Sequence, residues 1–435
     1  MKRNHRMLTR LPGCLAALGL TFCLVQAVPA ATAQGAADLN NLSLQQAVDL
    51  LRRGNHDLSL AGSAVEAASA DLDVAGERPN PQLSLSTSHI DLHGNNGNGN
   101  LWNRPYDTVI GWSQPLERGG KRGLRRSVAD ANLNAAGQDR QAVFRDQLAA
   151  LYDNYYDLLE AQDKVRISEA AAESYRRSVA AAEQRFKLGD IAAADVARLR
   201  VEASRGENDA RQAQSDLAQA RLVVARLLGQ EAQASQITAA GPWPDAAAEP
   251  ADADLATLVD QQPEVKAAQA RVEAARKAVE LARSQQVHDL SLNLEYEHQP
   301  PDLKDSIGVG ISMPIMIGSN FRGEIRRANA DLTTAQLNLD NVRSQVRTAL
   351  ATEHDALATS ANVVARFRGD VLQNAKRAAD SAEYAYGRGA SGLMDLLDAR
   401  RTLYAVQADA LAAEAAYAQH LATWNSILRP EELQP

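Results

Sequence analysis

Apolar residues recur along this chain in two periods, and the two periods alternate in blocks. Between 121 and 187 they return every three or four positions: Leu148, Leu151, Tyr155, Leu158 and Val165, then Ala172, Tyr175, Val179, Ala182 and Phe186. That spacing gathers one stripe on a helix and predicts a coiled-coil seam. A second long helix is predicted over 320–386. Return helices are predicted at 192–229 and 393–428, and shorter helices at 44–53, 56–77, 255–261 and 264–286. Elsewhere the period falls to two. Leu83, Leu85 and Thr87 alternate with Ser84, Ser86 and Ser88, and Tyr106, Thr108, Ile110 and Trp112 with Asp107, Val109, Gly111 and Ser113. Leu290, Leu292, Leu294, Tyr296 and His298 alternate with Ser291, Asn293, Glu295 and Glu297, and Ile307, Val309, Ile311 and Met313 with Gly308, Gly310 and Ser312. One apolar face and one polar or tiny face mark a half-buried strand. Runs of about ten residues suit a tilted strand that crosses a membrane. A helix over 121–187 would reach ~100 Å at 1.5 Å per residue, so the long helices must build a rod or a tube.

The pattern is written twice. Ala182 to Gly189, with Asp195 after it, lines up with Ala382 to Gly389 and Asp395 at an offset of 200. Val65–Ala68 matches Val272–Ala275, and Leu83–Leu85 matches Leu290–Leu292, both at an offset of 207. Ser113, Pro115 and Gly119 match Ser312, Pro314 and Gly318 at 199. Repeats of this kind decide the reading of the whole chain. The expected organisation is a signal peptide at 1–33, a first helix–strand–strand–helix–helix repeat at 34–240, a linker at 241–251 and a second repeat at 252–435. Gly241-Pro242-Trp243-Pro244 opens the linker.

Composition narrows the function classes. Aromatic residues make up 4% and charged residues 23% of 435 positions, and alanine is abundant, which favours long helices over an α/β enzyme. Lys2, Arg3, Arg6 and Arg10 precede an apolar stretch from Leu11 to Val28, and Ala31-Thr32-Ala33 offers a small-residue cleavage site. Both cysteines, Cys14 and Cys23, leave with that segment, so the mature chain is expected to have no disulfide and no thiolate site. The four cations leave too, and the net charge moves from −8 to −12. For a chain of this acidic balance no nucleic-acid partner is expected. No phosphate loop, nucleophile elbow or zinc-protease helix is present, so no catalytic residues, and no enzyme, are expected. The histidines are scattered, without zinc-site spacing, and no bound metal or cofactor is expected.

Four amphipathic strands cannot close a barrel, and open edges are not tolerated in lipid. The chain must therefore oligomerise through its strands. Two copies give eight strands, whose interior side chains fill; three give twelve and leave a pore.

The motifs resemble those of the TolC-type outer-membrane efflux proteins over essentially the whole mature chain. An aromatic residue, a glycine three later and an aspartate six beyond that occur as Phe186, Gly189, Asp195 and as Tyr386, Gly389, Asp395. The second leads through Leu396-Leu397-Asp398-Ala399 into Arg400-Arg401-Thr402-Leu403-Tyr404. Pro79-Asn80-Pro81 before the first strand and Gln114-Pro115-Leu116-Glu117-Arg118-Gly119-Gly120-Lys121-Arg122 after the second are most similar to the cobalt–zinc–cadmium branch. The resemblance implies an α+β membrane protein, with four strands per chain in a trimeric twelve-stranded outer-membrane β-barrel. A long α-helical coiled-coil periplasmic tunnel would continue it. It implies a homotrimer in outer-membrane lipid that works with a periplasmic adaptor and an inner-membrane pump of the resistance–nodulation–division type. The cargo would be divalent heavy-metal cations.

The resemblance also assigns residues. Asp395 and Asp398 match two acids that ring the periplasmic constriction, and Tyr386 matches a tyrosine of the closing contacts. Asp195 is open between a gate acid and a helix-start acid, since Arg198 follows it at i+3. Leu188, Gly189, Asp190, Gly387, Arg388 and Gly389 match the tip turns where the adaptor docks. Ser391 departs from the family's gate arginine, and Arg388 is the nearest candidate to replace it. By residue type alone, Asp395 and Asp398 also suit a helix start, where the dipole favours negative charge. Two other readings remain: the same duct serving drugs or type I secretion, and, from another class, a periplasmic coiled-coil adaptor.

Overall fold

The computed structural model describes residues 38–90, 93, 104, 106–245, 254–300 and 303–428. The expected signal peptide, the Asn/Gly-rich run 94–100 expected as a loop between the first two strands, and the linker tail beyond Asp245 lie outside the described residues. From Leu39 onward the chain forms one unit. Its elements run α1 (Leu44–Gly54), α2 (His56–Gly76), β1 (Gln82–Ser88), β2 (Asp107–Leu116), α3 (Lys121–Lys187) and α4 (Ala193–Leu228). The same order follows with α5 (Leu255–Gln261), α6 (Pro263–Ser284), β3 (Leu290–Gln299), β4 (Leu303–Ser312), α7 (Arg322–Arg366), α8 (Leu372–Gly387) and α9 (Leu393–Leu428).

The four strands form one antiparallel sheet in the order β1-β2-β3-β4, so both halves of the chain share it. Register carries the period-two pattern across the sheet. Leu83, Trp112, Leu294 and Val309 stand in one row, and Leu85, Ile110, Tyr296 and Ile307 in the next. On the opposite face the rows are Ser84, Gly111, Glu295, Gly308 and Ser86, Val109, Glu297, Ser306. The apolar face is bare: Leu83 is 77% and Ile307 81% exposed. Water would not leave such a face uncovered, and lipid would cover it. Among the described residues no helix is long and apolar enough to cross a membrane. β1 is shorter than expected, with seven residues, whereas β2 runs on to Leu116.

The helices leave the opposite end of the sheet from the strand-connecting loops. The long-helix prediction for the first half holds from Lys121 to Lys187. The seam residues Leu148, Leu151, Tyr155, Leu158, Ala172, Tyr175 and Ala182 are buried, whereas Phe186 is exposed. The second long helix is not continuous as expected. A π-turn, Phe367–Val371, separates α7 from α8. Gly369 lies in it, and glycine is among the weaker helix formers, so the i→i+4 ladder yields there most cheaply. Arg368 turns out of this π-turn to bond Glu414 of α9 (2.9 Å) and the Pro244 carbonyl (3.2 Å).

Where α4 ends, α1 meets it. A Cβ on Gly54 would lie 2.3 Å from the Leu228 carbonyl oxygen, so only glycine fits. Asn55, which caps α2 through Leu58 N–H, also donates to the Leu227 carbonyl and to Gln147. α4 and α2 thereby follow each other along α3. The linker start is strapped to the same rod. The Tyr155 hydroxyl reaches the Leu42 and Ala240 carbonyls, and Gln162 bonds Ala239 through both its amide atoms. Burial pushes the Tyr155 phenol up to about 12, so it stays neutral at any physiological pH.

α9 is held to both long helices by consecutive residues. Gln419 donates to Asp157 of α3 (2.7 Å), and His420 pairs with Glu353 of α7 (3.0 Å). The bond to Glu353 raises the His420 pKa above 6.5. A raised histidine pKa gives stability that is full below the unfolded value and is lost as pH climbs through the folded one. The thermal midpoint of the purified protein should therefore fall above about pH 6.5, and His420→Gln should flatten that part of the profile. The pair is partly exposed, so the effect is about 1 kcal/mol or less. Differential scanning fluorimetry in detergent from pH 6 to 8.5 measures it. Superimposable profiles would remove the pair as the cause.

Candidate functional site

The ends of the two helical hairpins carry most of the residues singled out by sequence. Both turns have one geometry. Gly189 N–H bonds the Phe186 carbonyl and Asp190 N–H the Arg185 carbonyl (2.9 Å). Gly389 N–H bonds Tyr386, and Ala390 N–H bonds Ala385 (2.8 Å). Glycine supplies the left-handed residue in each, with φ of 82° at Gly189 and 73° at Gly389. A side chain would be strained there. Leu188 precedes Gly189 and is 77% exposed. Asp190, Gly387 and Arg388 are exposed as well. The Arg388 guanidinium lies 5.3 Å from the Tyr384 ring centre and pairs with no acid among the described residues. Ser391 buries its hydroxyl without a hydrogen-bond partner.

Asp395 lies in the first turn of α9 and accepts from the Gly392 N–H (3.1 Å), half of a capping box. Asp398, one turn on, is exposed, as is Asp395, and both carboxylates sit on one helix face. Asp195 holds the equivalent place on α4, and Arg198 approaches it at 3.5 Å. Tyr386 is half-buried. It packs on a cluster that includes Tyr175, Val196, Leu199, Leu393 and Leu397, with the Arg185 guanidinium 5.7 Å from its ring centre. The structure thus gathers Tyr386 with the first turns of α4 and α9.

Above the tips lies a network that the sequence did not disclose. Arg401 of α9 grips Glu202 of α4 with two parallel bonds, Nη2 to Oε1 (2.5 Å) and Nε to Oε2 (3.1 Å). Arg205 adds a third (3.1 Å). Glu202 is buried, yet its pKa is lowered, first by the Arg401 bond. Its neighbour Arg400 is buried too. It donates to the Ser178 hydroxyl of α3 (2.8 Å) and pairs with Glu383 of α8 (3.2 Å). One arginine pair thus ties the second hairpin to both helices of the first. A groove of about 540 Å³ opens beside it, between Tyr175, Arg205, Tyr404 and Asp409. Arg400 and Arg401 stand in the quoted motif, but only the tertiary contact shows that both point to other helices. Among the described residues no three of His, Cys, Asp and Glu gather to hold a metal ion.

Relatives of known name match this architecture. The cobalt-zinc-cadmium resistance protein CzcC of Cupriavidus metallidurans is 24% identical over 83% of this chain and 84% of its own. The pyoverdine export outer membrane protein OpmQ of Pseudomonas putida is 24% identical over 84% of this chain and 81% of its own. A crystal structure of a membrane protein from Pseudomonas aeruginosa superposes with a TM-score of 0.76 at 18% identity, covering 88% of this chain and 90% of that one. The family model of the outer membrane efflux proteins matches residues 47–230 and again 255–428. With both halves matched and the fold in common, the chain belongs to the outer membrane efflux protein family.

Proposed function

We propose that this outer-membrane efflux channel passes divalent heavy-metal cations, as the exit duct of a tripartite pump. The observation that carries the proposal is the pair of exposed carboxylates, Asp395 and Asp398, on one face of α9 beside the tip turn. In a threefold assembly that pair becomes six carboxylates about one axis, and such rings attract cations and repel anions. Glu295 and Glu297 on the polar face of the sheet add negative charge to the same path. The relationship to a protein named for cobalt, zinc and cadmium resistance supports the cargo class. The relationship to a pyoverdine exporter supports the second reading, a duct for larger organic cargo.

The assembly we infer has three chains. The sheet has two open edges, β1 and β4. Only closure satisfies those edges in lipid, and three copies give twelve strands with an open lumen. We read each chain as two units, 34–240 and 252–435, joined by 241–251. The tip turns at Leu188–Asp190 and Gly387–Gly389 serve as the docking surface for a periplasmic adaptor. Energy comes from an inner-membrane pump of the resistance–nodulation–division type. Tyr386 and the Glu202–Arg401 pair hold the two hairpins together at the closed end, where Asp195 is met by Arg198 of its own helix.

A deletion strain, with complementation, grown on zinc, cobalt, cadmium, nickel, copper and silver salts and on a drug panel tests the cargo. Sensitivity confined to one metal group is expected. Sensitivity to organic compounds alone would favour the second reading. Two variants test the closed end in planar bilayers. Asp395→Ala with Asp398→Ala should reduce cation-over-anion selectivity, and an unchanged reversal potential would take these acids out of the gate. Glu202→Gln should weaken the charge-assisted pair of hydrogen bonds from Arg401, at a cost of about 2 kcal/mol. The variant should show a higher open fraction without added adaptor; wild-type gating would show that the pair does not hold the end closed.

A further inference from the structure

The Glu117-Arg118-Gly119-Gly120-Lys121-Arg122 run lies at the joint between sheet and helices. Lys121 is buried against Asp289 (2.9 Å), and Asp289 also accepts from Arg118 N–H. Arg122 bonds the last carbonyl of α2, at Gly76. Gln286 bonds Asn320 across the other half. The four connections at 76–79, 117–127, 283–289 and 318–327 thus stand at one height, immediately below the strands. They hold ten basic and four acidic residues in a chain whose net charge is −8. Arg78, Arg118, Arg126, Arg283, Arg322 and Arg326 are exposed and form no ion pair among the described residues. An acidic protein that concentrates unpaired arginines at one level has an anionic partner there.

The membrane face ends at this level. The apolar row of β4 continues past the strand through Met313, Ile315 and Ile317, the last two 73% and 86% exposed. The arginines follow within about two helical turns, the depth of a headgroup layer. α3 and α7 both begin here without a side-chain cap, behind left-handed Gly120 and Phe321. A second copy of the chain is a poor partner for the band. Rotation about the barrel axis keeps every residue at its own height, so each neighbour presents the same positive band. The leaflet on the helix side of the barrel is the periplasmic one, which excludes the glycolipid of the outer leaflet.

We propose that this band docks the anionic phospholipid headgroups of the periplasmic leaflet, with guanidinium groups on the phosphates and Ile315 and Ile317 among the acyl chains. The proposal rests on the trimeric-barrel reading above. Each arginine at an anionic surface contributes about five-fold in binding. The test is native mass spectrometry of the full channel in detergent, after incubation with phosphatidylglycerol, cardiolipin or phosphatidylcholine. The wild type should retain the two anionic lipids about ten-fold over phosphatidylcholine. A variant with Arg118→Gln, Arg126→Gln, Arg322→Gln and Arg326→Gln should lose most of that preference, and the matching lysine set should keep much of it. Equal retention of neutral and anionic lipid, or an unchanged glutamine variant, would overturn the proposal. So would a glutamine variant that falls to monomers in lipid-free detergent while the wild type stays trimeric, since the arginines would then serve copy-to-copy contact. Failure of the barrel reading would look different: no wild-type trimer and no conductance in a bilayer.

Discussion

A strand edge left unpaired in hydrocarbon costs several kcal/mol for each backbone group that water cannot reach. β1 and β4 each present such an edge, and the apolar face between them is bare. The rest of the molecule follows from that constraint. The sheet must close with other copies, closure fixes a common axis, and a common axis turns single side chains into rings. An exposed aspartate pair on one chain is an ordinary helix start. Repeated about an axis, as in the proposed assembly, it would act as an electrostatic filter. The role proposed for Asp395 and Asp398 therefore depends on the edges of a sheet at the far end of the molecule.

Duplication gives the helices a matching economy. Both hairpins turn through the same hydrogen bonds around Gly189 and Gly389. They differ in what can move. α3 is one helix of 67 residues, whereas its counterpart breaks at the π-turn Phe367–Val371. Below that break, α8 and the start of α9 are tied to the first hairpin by the Arg400 and Arg401 contacts and the apolar cluster around Tyr386. A hairpin with a weak point above and a polar tie below suits a movable end better than its continuous partner does.

Much of this was legible in the sequence because it rests on periodicity. The strands, the boundaries of α3 and the two glycine turns are local consequences of period, propensity and positive φ. The π-turn was not legible, since apolar spacing passes through it almost undisturbed and Gly369 alone does not mark it. Arg400 and Arg401 were visible as letters of a motif, but their partners Ser178, Glu383 and Glu202 come from other helices. No local pattern predicts such pairings. Asn55 is similar: its cap of α2 is local, yet the bonds to Leu227 and Gln147 that bury it are tertiary.

The Glu202–Arg401 pair has the physical properties that the proposed gate requires. Burying a carboxylate is costly unless its charge is met, and here Arg401 and Arg205 meet it with three bonds. The arginine side of the pair keeps 45% of its surface in water. Were the hairpins to part, both groups could be solvated at once, so an open state would give up the bonds but strand no charge. An apolar contact of equal strength would leave exposed hydrocarbon on both helices and resist opening throughout. On the proposed gating, polar ties over a small apolar cluster would hold the end shut at a lower cost of opening than an apolar contact of equal strength.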